Sequence, residues 1–392
     1  MVHELKVPDR ILMGPGPSDV SSMVLRAMST PLLGHLDPEF LEIMNRTMEL
    51  LRYVFETENA LTVPMSGTGS AGMETAFVNF LEPGDRVLIG VKGLFGQRMA
   101  DVAGRLGADV HTVEEEWGRP IDPARFEEAI RRVKPKVVAV VHAETSTGVR
   151  QPLEDIAALA HDHGALFLVD CVTSLGGISV GVDRVDIDIA YSGSQKCLSC
   201  PPGLAPVTVS ERAREVLRGR GRKVQSWYLD LTMIQEYWGA ERFYHHTAPI
   251  NMIYALHEAL RIIREEGLVE RFSRHLRLGR ALQAGLEAMG LELLVEEPYR
   301  LPMLTAVKVP EGTADAEVRG TLLARYGIEI GGGLGALKGR IWRVGLMGQS
   351  CSPKNVVLFL TALEDVLRER GMDLPPGAGV ARAVEVMEEG AH

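Results

Sequence analysis

The alternation of short apolar segments with helix-like segments between residues 61 and 209 constrains the fold of this chain more than any other feature. Most of the apolar segments lack the polar–apolar alternation of a half-exposed strand, so both of their faces are expected to be buried. Helices between such strands are typical of a parallel sheet that is covered on both faces. The sequence therefore predicts an α/β domain with a mostly parallel seven-stranded sheet, with strands at residues 61–65, 86–90, 109–113, 137–142, 167–170, 187–191 and 205–209.

The pattern changes near residue 250, where long amphipathic helices begin. We divide the chain into an N-terminal arm (1–19), a large domain (20–265) and a smaller C-terminal α+β domain (266–392). Residues 375–392 are rich in Gly, Ala and Glu and are expected to fray or to pack loosely. Helices are predicted at 38–56, 69–80, 96–106, 122–132, 252–266, 268–289, 314–326 and 353–370, and further strands at 292–296, 304–309 and 341–345.

The composition favours an enzyme that acts on small molecules. Apolar residues make up 46% of the 392 residues and charged residues 24%, as in ordinary globular proteins. The net charge of −10 opposes binding to nucleic acid or to an anionic membrane surface. The first residues contain no apolar signal region, and no long uncharged stretch follows, so we expect no membrane segment and a cytoplasmic location.

The four cysteines are too few for a disulfide framework and fit a reducing compartment. Cys197 and Cys200 form a C-x-x-C pair. A zinc site would require a second pair or histidines at ligand spacing, and neither follows. We therefore expect no metal and interpret these cysteines as small buried or loop residues.

The chemistry is indicated by one lysine and one aspartate. Asp170 ends the apolar strand 167–170, and Lys196 follows the next predicted strand, 187–191. A lysine amine can bind the aldehyde of pyridoxal phosphate, and a carboxylate at a strand end can keep the pyridine nitrogen of that cofactor protonated. The pair therefore predicts a pyridoxal phosphate site.

A glycine-rich turn between the first strand and helix 69–80 is a candidate phosphate site. The free N–H groups and the positive dipole end of the helix would face a ligand there. Gly67, Gly69 and Gly72 also satisfy G-x-G-x-x-G, which would suggest a nucleotide. A dinucleotide site needs an acidic residue at the end of the next strand, however, and residues 89–92 (IGVK) contain none. A nucleotide-binding α/β protein thus remains the rival outside this cofactor's chemistry.

Six motifs in order resemble the alanine–glyoxylate and serine–pyruvate aminotransferases, which are class V, fold-type I enzymes dependent on pyridoxal phosphate. The resemblance runs from Gly14 to the final helix, over nearly the whole chain. It implies the fold-type I arrangement of a large cofactor-binding domain and a small domain. The motifs are 66–69 (SGTG), 142–148 (HAETSTG), 170–177 (DCVTSLGG), 192–196 (SGSQK), 244–247 (YHHT) and 343–345 (RVG).

The resemblance also implies roles for individual residues on the cofactor side. Lys196 would be the Schiff-base lysine and Asp170 the partner of the pyridine nitrogen. Phe95 falls where relatives stack an aromatic ring on the cofactor, and Thr145 where a hydroxyl reaches its phenolic oxygen. The positions on the phosphate side of the cofactor are Thr68, Gly69, Ser70 and Gln195. Relatives often have His where this chain has Ser70.

Two further implications concern the partner subunit and the substrate. Tyr244 and Thr247 resemble residues that reach the phosphate from the other subunit of a homodimer, so each active site would be shared. Arg343 stands alone among apolar strand residues and requires an anion, which the α-carboxylate of a substrate would supply. Glu144 and His142 also occupy motif positions, and we assign them no chemical role.

The implied reaction moves an amino group from alanine or serine to glyoxylate or pyruvate by a ping-pong mechanism. A cysteine desulfurase would need its cysteine on a loop before the substrate arginine, whereas Cys351 lies after Arg343. An (S)-ureidoglycine–glyoxylate transaminase remains an alternative, although Tyr244 favours alanine or serine as the donor.

Overall fold

A computed structural model of the chain describes residues 4–389. The first half contains β1 (Ile11–Leu12), α1 (Ser22–Met28), α2 (Pro38–Phe55), β2 (Leu61–Ser66), α3 (Gly69–Phe80), β3 (Arg86–Val91), α4 (Leu94–Arg105), β4 (Asp109–Glu114), α5 (Pro123–Val133), β5 (Val137–Val141), β6 (Ala143–Glu144), β7 (Val149–Arg150), α6 (Glu154–Asp162), β8 (Leu166–Asp170), α7 (Val182–Val185) and β9 (Ile189–Tyr191). The second half contains β10 (Leu204–Val209), α8 (Glu211–Arg218), α9 (Leu231–Trp238), α10 (Ile250–Glu266), α11 (Leu268–Ala288), β11 (Leu304–Lys308), α12 (Asp315–Tyr326), β12 (Ile328–Glu329), β13 (Gly331–Gly332), β14 (Ile341–Gly345), α13 (Pro353–Glu369) and α14 (Ala378–Glu389).

The central sheet has seven strands in the order β2-β10-β9-β8-β5-β3-β4. The neighbours from β9 to β4 are parallel, whereas β10 runs antiparallel to both β9 and β2. The predicted mostly parallel seven-stranded α/β fold is therefore confirmed. The helices α3, α4, α5 and α6 pack against this sheet.

The inner strands are buried because both of their faces are apolar. All five residues of β5 and all five of β8 are buried. In the parallel register, Val141 lies beside Asp170, and Asp170 lies beside Tyr191. The carboxyl ends of β5, β8 and β9 therefore meet at one edge of the sheet, which is where ligands bind in open parallel sheets.

The C-terminal part is built on a second sheet and a second apolar cluster. Its antiparallel sheet has the order β11-β14-β13, and its cluster is lined mainly by α11, α12 and α13. The N-terminal segment also belongs to it, because β1 pairs with β12 and Met13 lies in the cluster. The domain limits at residues 19/20 and 265/266 remain predictions.

Two predictions for this part are wrong. The strand at 292–296 is reduced to one bridge between Leu293 and Val307. The stretch 375–392 does not lie loose, because α14 packs along α11 and Gly379 lies against Gly285 and Met289; residues 390–392 lie outside the described part. Small residues let the backbones of two helices approach closely, and a single-sequence pattern does not reveal such a pairing. Within residues 4–389, no helix has the length and apolarity needed to cross a membrane.

Candidate active site

Lys196 is enclosed by the N-terminal segment. Its side chain is buried, and its Nζ donates a hydrogen bond to the Pro15 carbonyl. Ser18 ties the segment down, because its Oγ donates to the Lys196 carbonyl at 2.7 Å and its N–H donates to the Gln195 carbonyl at 2.9 Å. Gly16 has φ +110°, and a Cβ there would lie 2.5 Å from Lys196 Nζ, so this position requires glycine.

The electrostatics of Lys196 suit a reactive amine. Burial and, next, the Arg343 guanidinium lower the pKa of Lys196 to about 8. The nearby Asp170 carboxylate acts in the opposite direction on this pKa. About a tenth of the amine is consequently neutral at pH 7, far more than for an ordinary lysine, and the neutral form is the one that a nucleophile or a base requires.

Asp170 is held by two donors at the end of β8. Its Oδ1 accepts a hydrogen bond from the Val172 N–H at 2.9 Å, and its Oδ2 accepts one from the Tyr191 hydroxyl at 2.7 Å. Burial raises the pKa of Asp170 to about 6, and these two hydrogen bonds limit the rise. The carboxylate is thus fixed in orientation and remains mainly ionised at neutral pH.

The glycine-rich turn meets the lysine and aspartate motifs. A Cβ on Gly69 would lie 3.5 Å from both Gly193 Cα and Val172 Cγ2, so the beginning of α3 touches both segments. Thr68 is the N-cap of α3, but its side chain makes no capping hydrogen bond. Thr68 and Ser70 are exposed, and the buried Gln195 Oε1 has no hydrogen-bond partner within residues 4–389. Polar groups at this turn are therefore free to bind a ligand.

Arg343 reaches the same site from β14. Its Nη1 donates to the Thr145 carbonyl at 3.1 Å, and its Nε donates to the Gly332 carbonyl at 2.8 Å. Burial lowers the pKa of Arg343 to about 10, a change that the Glu144 carboxylate opposes. The guanidinium is charged and buried, yet it forms no ion pair with any residue of the described range 4–389. A ligand carboxylate would compensate this charge.

Phe95 lies at the start of α4, beside the carboxylate of a motif residue. Its N–H donates to Glu144 Oε2 at 3.2 Å, and its ring is half-buried. The Arg98 guanidinium lies 5.1 Å from the centroid of this ring. The buried Glu144 also accepts hydrogen bonds from the Ser146 hydroxyl at 2.6 Å and the Ser146 N–H at 3.1 Å. Glu144 therefore connects the strand-end loop after β5 to α4.

Tyr244 and Thr247 lie together on the surface of the chain. Tyr244 is 60% exposed, and its hydroxyl lies 3.5 Å from Thr247 Oγ1. Between them, His246 Nε2 lies 2.8 Å from Ser66 Oγ, at the end of β2. The exposed pair is thereby anchored beside the strand that leads into the glycine-rich turn.

The structure adds two residues that the sequence did not identify. Tyr191 binds Asp170, and Lys92 is fully buried after β3 with its Nζ 2.5 Å from the Val141 carbonyl. A lysine directly after an apolar strand, at the ligand-binding edge of a parallel sheet, was a signal that could have been used. His142 is also buried there, and burial lowers its pKa to about 3, so its imidazole is neutral.

The cysteines are free and buried. Burial raises the pKa of both Cys197 and Cys200 to about 12, so neither is a ready thiolate. Within residues 4–389, no group of three or more potential ligands could hold a metal ion.

Comparison with known proteins assigns this site to a family. The family model described as "Aminotransferase class-V" matches residues 20–345, which include every candidate residue above. The chain belongs to the class V aminotransferase family. This aminotransferase is 43% identical to the (S)-ureidoglycine–glyoxylate transaminase of Bacillus subtilis, over 98% of this chain and 97% of the relative. It is 40% identical to the alanine–glyoxylate aminotransferase of Mus musculus, over 93% of this chain and 89% of the relative.

A solved structure agrees with the fold of this aminotransferase. The alanine–glyoxylate aminotransferase of Nostoc sp. superposes with a TM-score of 0.93 at 51% identity and covers 94% of this chain and 98% of its own. The motif-based assignment to class V, and to the transaminases within it, is confirmed. The roles of individual residues remain predictions.

Proposed function

We propose that this aminotransferase uses pyridoxal phosphate to transfer the amino group of alanine or serine to glyoxylate or pyruvate. The observation that carries the proposal is the convergence of three buried groups on one site: the Lys196 amine, the Asp170 carboxylate and the Arg343 guanidinium. Lys196 interacts electrostatically with both other groups: Arg343 lowers the pKa of Lys196, and Asp170 raises it. An amine, an acceptor for a ring proton and a carboxylate binder are the groups that such a transfer needs.

The residues fit the cofactor. Asp170 is a buried carboxylate whose partners are all donors, so it can accept a hydrogen bond from a protonated ring nitrogen. The N-terminus of α3, with the uncommitted Thr68 and Ser70 beside Gln195, suits a phosphate. The half-buried Phe95 offers a ring for stacking. Thr145 is buried, and its carbonyl accepts a hydrogen bond from Arg343, so its backbone lies at the same site.

Pyridoxal phosphate, when bound, supplies an aldehyde that carries the amino group and a ring that withdraws electrons. Lys196 Nζ, with its lowered pKa, takes and returns the substrate α-proton. Asp170 holds a proton on the ring nitrogen, and Arg343 orients the substrate carboxylate. The same groups serve donor and acceptor in turn, so ping-pong kinetics are expected.

Glyoxylate is the substrate named for each of the relatives compared above, which supports it as the acceptor here. The donor differs among them, since one is named for ureidoglycine and the others for alanine. The two relatives named for alanine support alanine, or the similarly small serine, as the donor here. The similarity to the Bacillus subtilis transaminase, over 98% of this chain, makes (S)-ureidoglycine the second candidate donor.

The proposal includes a homodimer with shared sites. Tyr244 and Thr247 are exposed, and two exposed apolar side chains lie beside this segment. These are Phe243 (61% exposed), which precedes Tyr244, and Trp227 (58% exposed), whose ring stacks on that of His245 with 4.2 Å between the centroids. A patch of that kind on a soluble enzyme supports a protein interface. The pair would complete the phosphate site of the partner subunit.

A donor–acceptor panel tests the proposal. The purified protein with added pyridoxal phosphate is incubated with alanine, serine or (S)-ureidoglycine and with glyoxylate or pyruvate, and both products are quantified. Alanine or serine with glyoxylate is expected to give the highest kcat/KM. A clear preference for (S)-ureidoglycine would select the second candidate, and no bound cofactor together with no transfer would refute the proposal.

A further inference from the structure

A buried lysine with no role in the proposed reaction lies at the same edge of the sheet. Lys92 is 1% exposed, and its Nζ donates a hydrogen bond to the Val141 carbonyl at 2.5 Å. Val141 is the register partner of Asp170, so the lysine crosses the end of β5 beside the strand that carries Asp170. The Lys92 ammonium is thus held beneath the candidate site.

The charge of Lys92 is not neutralised by a direct ion pair within residues 4–389. Burial lowers the pKa of Lys92 to about 8, against the opposing charges of Glu144 and Asp170, so the amine remains mostly protonated at neutral pH. A buried ammonium without a contacting carboxylate is costly. The hydrogen bond from Lys92 to the Val141 carbonyl does not require a charged donor. An electrostatic effect of Lys92 on a neighbouring group does require the charge.

Asp170 is the neighbour whose protonation state that charge changes. Burial and the Glu144 carboxylate favour the neutral form of Asp170, whereas Lys92 favours the ionised form. Tyr191 and Cys171 face Asp170 as neutral groups, because burial raises both of their pKa values, and the neighbouring His142 is neutral as well. Lys92 is therefore a cation that opposes the effect of Glu144 on the pKa of Asp170.

The two remaining cations of the site are not substitutes for Lys92. Lys196 interacts with Asp170, but its amine is committed to the cofactor and the substrate in the proposed reaction. Arg343 is held on the Thr145 and Gly332 carbonyls, and in the proposed reaction its charge is matched by the substrate carboxylate. Lys92 makes no hydrogen bond to Lys196 or Arg343 within residues 4–389, and the proposed reaction does not use its amine.

We propose that Lys92 is a positioning residue that keeps the buried Asp170 carboxylate ionised, so that it is ready to hold a proton on the cofactor ring nitrogen. The inference rests on the proposed function. Lys92 acts only through Asp170 and touches no substrate. Loss of its charge is expected to change the pH at which the empty enzyme becomes competent to bind the cofactor.

The experiment measures the dissociation constant of pyridoxal phosphate from cofactor-free enzyme, by fluorescence, from about pH 5 to about pH 9. In the wild type, binding is expected to weaken as the pH falls through the pKa of Asp170, about 6. Lys92→Gln keeps an amide donor for Val141 but removes the charge, and Lys92→Met is the second variant. Each is expected to move this midpoint up by about one pH unit, with roughly fivefold weaker binding near pH 6.

Two comparisons separate electrostatic action from packing. Glu144→Gln removes the opposing charge and is expected to move the midpoint down. In the Asp170→Asn background, Lys92→Gln is expected to change the affinity less than about twofold at any pH. Lys136→Met is the matched control, since Lys136 precedes the opposite end of β5 and pairs there with Asp85, and it is expected to leave the midpoint unchanged.

The outcomes are distinct. The inference is supported if either Lys92 variant raises the midpoint pH of cofactor binding and if this shift disappears in the Asp170→Asn background. Three binding results overturn the inference: a midpoint equal to that of the wild type, a loss of affinity that is uniform over pH, or an equal loss of affinity in the Asp170→Asn background. Failure of both Lys92 variants to fold also overturns it, because Lys92 would then be structural. If the wild type itself does not bind pyridoxal phosphate, the proposed function fails instead.

Discussion

Tyr191 donates a hydrogen bond to Asp170, with 2.7 Å between the tyrosine hydroxyl and Oδ2 of the carboxylate. The two residues are register partners at the ends of β8 and β9, and both are buried. A hydrogen bond to the ionised form favours that form. Together with the Val172 N–H, Tyr191 therefore orients the carboxylate and favours its ionised form.

Tyr191→Phe is expected to raise the pKa of Asp170 above about 6, because the donor that favours the carboxylate is lost. A rise of about half to one unit corresponds to one such hydrogen bond. Cofactor affinity between about pH 6 and pH 7 should fall, while affinity near pH 9 should change little. Tyr326→Phe, which removes a tyrosine–aspartate contact far from the site, is the control. An unchanged affinity profile would contradict this role.

Lys196→Ala is expected to leave a folded protein whose turnover falls by about a thousandfold or more, since both the covalent link to the cofactor and the proton transfer are lost. Steady-state transfer to glyoxylate, together with circular dichroism, measures this. The exposed Lys338 provides the control variant Lys338→Ala. Full activity of Lys196→Ala would overturn the assignment of the lysine.

Lys196→Met is expected to stabilise the cofactor-free protein at pH 7. The pKa of Lys196 is about 8 in the folded protein and 10.5 ordinarily, so the unfolded chain binds more protons between these values and the stability of the wild type rises with pH there. The variant should gain up to about 3 kcal/mol in the free energy of unfolding at pH 7, and the gain should shrink above pH 8. Urea unfolding at both ends of the range checks this. The exposed Lys354 serves for comparison, and a gain independent of pH would disprove the explanation.

Arg343→Ala is expected to raise the KM of both donor and acceptor, because each carries the same carboxylate. The loss of a buried, charge-assisted contact costs about 2 to 5 kcal/mol in kcat/KM. Arg325→Ala, which removes a surface pair with Asp365 and Glu369, is the matched control. If neither KM changed, the guanidinium would be structural.

The shared-site proposal is tested by mixing two inactive chains. Lys196→Ala chains and Tyr244→Ala/Thr247→Ala chains are unfolded and reassociated together. One site of each mixed dimer then contains Lys196, Tyr244 and Thr247 intact, while the other contains every lesion. Activity should return to about a quarter of the wild type if half of the dimers are mixed.

The matched control mixes Lys196→Ala with Asp170→Asn chains. Both residues belong to the same subunit, so every site of a mixed dimer keeps one lesion and no recovery is expected. No recovery in the first mixture, with reassociation verified by mass, would assign Tyr244 and Thr247 to their own chain.

The sequence by itself determined the central sheet and indicated Lys196 and Asp170 as the candidate site. Continuous apolar runs such as Val137–Val141 must be buried on both faces. Because helices connect these runs, the strands form a parallel sheet that the helices cover on both faces. Helix α3 has the predicted bounds, because a glycine-rich turn and a proline-containing loop limit it. Lys196 and Asp170 were recognisable because they follow such strands at the edge where ligands bind.

Only the tertiary structure decided the surroundings of that pair. The contact of Lys196 with Pro15, the pairing of Tyr191 with Asp170 and the burial of Lys92 join segments far apart in sequence, and no local pattern encodes them. The same holds for α14, whose glycine contact with α11 corrected the expectation of a loose C-terminus. Local propensity acts over a few residues, whereas burial and pKa depend on which strands and helices become neighbours, and that is settled only when the whole chain packs.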